Sequence, residues 1–228
     1  MVMPINPITA LRKYLQKRRE LKFFQRASSE EVFTRIYLDN KWGNSETRSG
    51  KGSTLIRTEL LRDQLPDLIT KFKIESLLDI PCGDFHWMKE IKLPVSHYLG
   101  ADIVSSLIEE NTRRYGNKSR TFLKLNLLKD PLPAADAILC RECLVHLSLA
   151  DIALAVDNLK SSKATYLLTT HFPQVQQNSE IVTGKHRPLN LCKPPFNWPA
   201  PIAEIIEYET GRARGIKCLS LWEIATLP

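Results

Sequence analysis

Apolar residues recur along the chain at two distinct spacings. From Leu55 to Phe72 they stand three and four apart (Leu55, Leu60, Leu61, Leu65, Leu68, Ile69, Phe72), the period of a helix with one buried face. The run Ser76-Leu77-Leu78-Asp79-Ile80, stopped by Pro81, predicts a short buried strand. Tyr98 to Ile103 predicts a second strand, followed by a helix from Ser105 to Tyr115 that Gly116-Asn117 closes. Phe122 to Leu125, Ala137 to Cys140 and Thr165 to Thr169 predict three further strands, with a helix over Asp151 to Leu159 before the last. Strands that alternate with helices pair in parallel, so the expected fold is a doubly wound α/β sheet.

The pattern changes after Phe172. Residues 173 to 201 contain six prolines and little periodicity, which predicts a long ordered loop of the kind that usually carries function. Two strand-like runs, Ile202 to Tyr208 and Cys218 to Ile224, then flank Gly211 to Gly215, the expected turn of a hairpin. A length of 228 residues, 43% of them apolar and 25% charged, suits one main core of a globular chain. The most apolar region, Ala134 to Val156, is broken by Asp136, Arg141, Glu142, His146 and Asp151, so no stretch reads as a membrane span. No apolar run of signal-peptide length is found near the N-terminus, and five scattered cysteines do not make a disulfide framework; reduced thiols and a cytoplasmic setting are expected.

Charge is unevenly placed. Residues 1 to 29 hold Arg12, Lys13, Lys17, Arg18, Arg19, Lys22 and Arg26 against the single acid Glu20, and so carry six of the net +7 charges. With Ile8, Leu11, Tyr14, Leu15, Leu21 and Phe24 at loosely helical spacing, this segment is either a basic amphipathic helix for an anionic membrane surface, RNA or a partner, or a solvated helix that docks or frays. It is expected to be separable from a domain of residues 30 to 228.

In an open α/β sheet, ligands bind beyond the carboxyl ends of the strands. The first such turn, Asp79-Ile80-Pro81-Cys82-Gly83-Asp84, holds a single glycine, which disfavours a dinucleotide whose pyrophosphate needs several. A cofactor without phosphates needs instead one glycine for close approach, an acid at the first strand end for a cationic group, and an acid at the second for ribose hydroxyls. Asp79, Gly83 and Asp102 meet that description.

Around these residues the chain resembles class I S-adenosylmethionine-dependent methyltransferases, and in particular an uncharacterised group among them whose first motif reads Leu-Asp-x-Pro-Cys-Gly-Asp-Phe-x-Trp-Met, here Leu78 to Met88. The similarity runs from about Val32 to Trp222. It includes Trp42-Gly43 with Ser49-Gly50-Lys51-Gly52-Ser53, Arg141-Glu142-Cys143-Leu144-Val145-His146-Leu147, Thr169-Thr170-His171-Phe172 and Thr183 to Leu191. The resemblance implies a Rossmann-like, mostly parallel seven-stranded sheet with a C-terminal antiparallel strand pair. It also implies S-adenosylmethionine as cofactor, with its methionine part near Asp79, Pro81, Cys82 and Gly83, its ribose on Asp102 and its adenine near Asn126 and Leu127. Arg141, Trp42, Gly50 and Ser53 complete the expected cofactor site.

His146 and His171 follow strand ends on the same side, so His146 is the first candidate for a general base, with His171 and Glu142 behind it. Arg187 and Asn190, in the proline-rich segment, are expected to bind the acceptor. Cys140-x-x-Cys143 with His146 has the spacing of a metal site or a redox pair, but a structural zinc would need Cys192 or His171 as a fourth ligand by a coincidence of folding, and no metal is expected. The tetrapeptide typical of amino-group methylation is absent after the fourth strand, which favours a hydroxyl oxygen of a small molecule or sugar as acceptor. The alternatives are a non-catalytic protein of this fold that uses its basic segment on RNA or a membrane surface, and methylation of RNA itself.

Overall fold

The computed structural model describes residues 7–209 and 215–228, so most of the turn expected at Gly211 to Gly215 lies outside the described residues. In chain order the elements are α1 (Pro7–Phe24), α2 (Ser29–Leu38), α3 (Glu59–Lys71), β1 (Ser76–Asp79), β2 (His97–Asp102), α4 (Ser105–Tyr115), β3 (Arg120–Lys124), β4 (Ala137–Cys140), α5 (Leu149–Ser161), β5 (Tyr166–His171), β6 (Ala203–Glu209) and β7 (Ile216–Glu223). Seven strands form one sheet in the order β3-β2-β1-β4-β5-β7-β6. The first five pair in parallel, whereas β7 runs antiparallel to both β5 and β6. The doubly wound sheet and its antiparallel C-terminal pair are thus as expected.

Both faces of the sheet are covered, because alternate residues of each strand point to opposite sides. Leu78, Ile138, Cys140 and Leu167 face α5, where Ile152, Ala155 and Leu159 are buried. Leu77, Leu139, Leu168 and Leu219 face α3 and α4, against Leu65, Ile69 and Leu107. The helix expected from Leu55 begins four residues later, since Ile56–Thr58 is a 3₁₀ turn in which Ile56 is exposed and Thr58 is buried.

Chain order reverses between β1 and β4: β2 and β3 lie on one side and β4 and β5 on the other. The crossover connections diverge there and leave a crevice beyond the carboxyl ends of the two strands. α2 closes one side of it. Its N-cap Ser28 accepts from the Glu31 amide and Glu31 answers with its carboxylate, a reciprocal cap that starts the helix sharply.

α1 is not independent of this body. Phe24 is buried with Val32 and Ile36, and Glu20 contacts Lys41 and Lys185, while Leu11 and Tyr14 further up the helix are exposed. A boundary at residue 29 therefore runs through a packed contact. Phe24→Ala should lower stability by about 3 kcal/mol, the usual loss for a buried Phe. A chain beginning at Ser29 should lose at least as much in urea unfolding.

Candidate functional site

The crevice holds a cavity of about 1070 Å³ including its mouth, lined among others by Asp79, Pro81, Cys82, Gly83, Asp102, Asn126, Leu127, Arg141 and His146. Asp79 ends β1 and Asp102 ends the neighbouring β2, so parallel pairing alone brings the two carboxylates to one rim. Both are buried. The Tyr98 hydroxyl donates to Asp79 Oδ2 at 2.5 Å, and the Gly83 and Val104 amides donate to Asp102 at 3.2 and 3.0 Å. Burial pushes Asp79 up to about 7 despite the Tyr98 hydrogen bond and the Arg141 charge; burial likewise pushes Asp102 to about 6 against its amide donors. The folded chain thus holds protons that the unfolded chain releases near pH 4, and these acids reduce stability as pH rises from there towards 7. Such a pair is poised for a cationic or hydroxylated ligand.

Gly83 has φ +56, and a Cβ there would collide with Ser49 Oγ. That close approach lets the Thr47–Ser49 segment clasp the first turn. Asp84 accepts from Thr47 Oγ1 at 2.7 Å, the Arg48 amide at 2.9 Å and Ser49 Oγ at 2.9 Å. Asn111 Nδ2 donates to the Gly83 carbonyl at 2.8 Å. These braces were not evident from sequence, since Asn111 reads as one more polar residue of a surface helix and Asp84 as a turn residue.

On the far side of β1, Arg141 leaves β4 and donates from Nε and Nη2 to Glu207 at 3.1 and 2.5 Å, and from Nη2 to the Gly52 carbonyl at 2.7 Å. Lys217, fully buried on β7, contacts both Glu207 (2.9 Å) and Glu142. Burial opposes ionisation of Glu142, but Lys217, Arg141 and His146 outweigh it and hold its carboxyl down to about 2. Glu207 and Lys217 gave no signal in the sequence: charged residues on a C-terminal hairpin read as its solvent face.

His146 closes a 3₁₀ turn, Leu144–His146, after β4. Its Nδ1 lies 2.8 Å from the Lys185 carbonyl, and its ring packs against Trp42 with centroids 5.1 Å apart. A carbonyl can only accept, so Nδ1 carries the hydrogen and Nε2 keeps its lone pair. Burial lowers the pKa, with the Glu142 charge opposing, and favours the neutral ring.

Three of the expected site residues are engaged outside the cavity. His171 does not line the cavity: its Nδ1 accepts the Leu191 amide at 3.2 Å, and its ring meets Trp222 edge-on. Arg187 is buried and donates to the carbonyls of Ser179 and Leu144 at 2.9 and 3.1 Å. Asn190 donates to the carbonyls of Pro173 and Val175, both at 2.9 Å. All three brace the proline-rich segment, whose backbone has few ladder partners and takes side chains instead. Trp42 and Ser53 do line the cavity, whereas Gly50 lines an adjoining one.

No protein-family model matches the chain, and no curated protein matches it in sequence. Solved structures do match in shape. Magnesium protoporphyrin IX methyltransferase from Synechocystis PCC 6803, a structure with bound SAM, is 12% identical with a TM-score of 0.58; the match covers 86% of this chain and 97% of that one. The N-methyltransferase NodS from Bradyrhizobium japonicum WM9, in complex with S-adenosyl-L-homocysteine, is 12% identical with a TM-score of 0.56 over 82% and 97%. Human N-acetylserotonin methyltransferase is 18% identical with a TM-score of 0.48, and the match covers 67% of this chain and 44% of that protein. The fold is therefore the Rossmann-like fold of class I S-adenosylmethionine-dependent methyltransferases.

The buried charge cluster beside the cavity depends on each of its members. Glu207→Gln should leave the buried cations Arg141 and Lys217 with a single carboxylate, Glu142, between them and lower stability by about 3 to 5 kcal/mol in chemical denaturation.

Proposed function

We propose that the protein transfers a methyl group from S-adenosylmethionine to a hydroxyl oxygen of a small-molecule or sugar acceptor. The observation that carries this reading is the burial of Asp79 and Asp102 side by side, at the strand ends where the sheet changes direction. The donor set fits the cofactor. Asp79 suits the cationic amino-acid end and Asp102 the ribose hydroxyls, while Leu127, Val104 and Leu107 line an apolar surface for the base beside Asn126. When bound, the cofactor supplies an electrophilic methyl group. The chain's own part is to orient an acceptor and remove its proton. His146 presents a neutral Nε2 able to take that proton, while Glu142 keeps a negative charge nearby that favours the resulting imidazolium.

Titration calorimetry with S-adenosylmethionine and its demethylated product tests the cofactor reading, and the absence of heat with both sinks it. Asp102→Ala should weaken binding by about 1 to 3 kcal/mol, the loss of a charge-assisted hydrogen bond. The binding-competent form of Asp79 is the carboxylate, so affinity should fall as pH drops through about 7, with proton release on binding near that pH. Asp79→Asn should remove the part of that proton release centred near pH 7.

Methyl-labelled cofactor incubated with fractionated extract of the source cell identifies the class of acceptor by which fraction takes up label. With an acceptor in hand, His146→Ala should lower turnover about 10²- to 10⁴-fold with cofactor affinity unchanged. Wild-type turnover in that variant would leave Glu142 as the next residue to test.

A further inference from the structure

A second cavity, about 1220 Å³ including its mouth, adjoins the first. Trp42, Ser49, Glu142 and His146 line both, so the wall between the two is one side chain thick and carries the candidate base. The second cavity is bounded by α1, the 3₁₀ turn Lys51–Ser53, residues 184 to 186 and Tyr208 of β6.

Its chemistry differs from that of the first. Where the cofactor cavity is ringed by acids, this one presents Lys41, Lys51 and Lys185. Glu142 is already engaged by buried Lys217, which leaves Glu20 as the lining acid paired with Lys41 and Lys185. Phe24, Trp42, Phe172 and Tyr208 supply flat apolar walls. The Glu20 carboxylate, reaching in from α1, accepts from Lys41 Nζ at 2.8 Å and from Lys185 Nζ at 3.0 Å, although these lysines are far apart in sequence; Lys41 Nζ also lies 3.7 Å from Asp39. The structure thus displays an anion between two ammonium groups, on a side chain from the half-buried C-terminal part of α1.

We propose that this second cavity is the acceptor site and that its acceptor is a hydroxylated organic anion, a carboxylate or phosphate on a flat apolar body. Its charged group displaces Glu20 from between Lys41 and Lys185, and its hydroxyl faces His146. The identity as acceptor site rests on the methyl-transfer reading; the anion site does not. The positive contact expected earlier of Arg187 is supplied by these two lysines, which reach open space where Arg187 does not.

Calorimetric titration of the full chain with benzoate and with phenyl phosphate, and with benzyl alcohol as the neutral control, tests the proposal, each run with and without S-adenosylhomocysteine. Both anions should bind and the alcohol should not; the tighter anion tells carboxylate from phosphate. Lys185→Gln and Lys41→Gln should each weaken anion binding about fivefold, the upper range for a partly exposed ion pair. Glu20→Gln, which removes the competing carboxylate, should tighten it about threefold, and affinity for S-adenosylhomocysteine should not change in any of the three. Thermal melts confirm that the variants are folded, and two lysines on separate elements keep the test from resting on one of them. Equal binding of benzyl alcohol and benzoate, no binding of either anion, or unchanged anion affinity in both lysine variants overturns the proposal. If the anion effects hold but S-adenosylhomocysteine does not bind, the methyl-transfer reading falls while the anion site stands.

Discussion

Four charged side chains meet at and behind the cavity wall, and the geometry of the site depends on their mutual neutralisation. Arg141 comes from the end of β4, Glu142 from the next residue, Glu207 from β6 and Lys217 from β7. A lone charge at such depth would be several kcal/mol unfavourable, so each of the four requires the others to be in place. That requirement fixes the antiparallel pair β6-β7 against the parallel half of the sheet at one particular height. It also presents Glu142 to the cavity from a backbone with φ +52, pinned by its amide donating to Thr170 Oγ1 at 2.8 Å. The Gly52 carbonyl, which accepts from Arg141, draws the Lys51–Ser53 turn into the same assembly.

The two cavities that flank this cluster have opposite electrical character, and one sheet edge accounts for both. On the β1-β2 side the chain buries carboxylates without a directly paired cation, and their raised proton affinities record the energy held there. On the α1 side the lysines come from loops and are only partly covered, so their charges remain solvated and cheap to keep. An arrangement that places an unfavourably buried anion beside one cavity and accessible cations in the next suits two ligands of opposite charge meeting at a shared wall. His146 sits in that wall with its tautomer set by the Lys185 carbonyl, a residue whose ammonium group serves the other cavity.

Much of the fold was legible in the sequence. The strand runs beginning at Ser76, Tyr98, Ala137 and Thr165 are short, apolar and interrupted by helical periods, and tertiary packing moved their ends by only a residue or two. That Asp79, Gly83 and Asp102 line the cavity was legible for a related reason: in a doubly wound sheet, position in the strand-turn-helix order determines which residues reach the crevice. His146 follows the same rule.

What the sequence determined by itself, then, was local period and order, and with them the sheet, its switch point and the residues at the strand ends. What only the tertiary structure decided was the fate of polar side chains outside that order. Arg187 and Asn190 look like ligand-binding groups in one dimension, yet the proline-rich segment has no neighbouring strand to satisfy its carbonyls and takes their donors instead. Glu207 and Lys217 look like a solvated hairpin face, yet β7 lies inside the sheet between β5 and β6, and both side chains are buried where Arg141 meets them. Glu20 and Phe24 look like part of a free basic tail, yet their partners, Lys41, Lys185, Val32 and Ile36, stand 8 to 165 residues away along the chain. A hydrogen bond or ion pair forms between groups that folding brings within a few ångströms, and no periodicity encodes which distant groups those are.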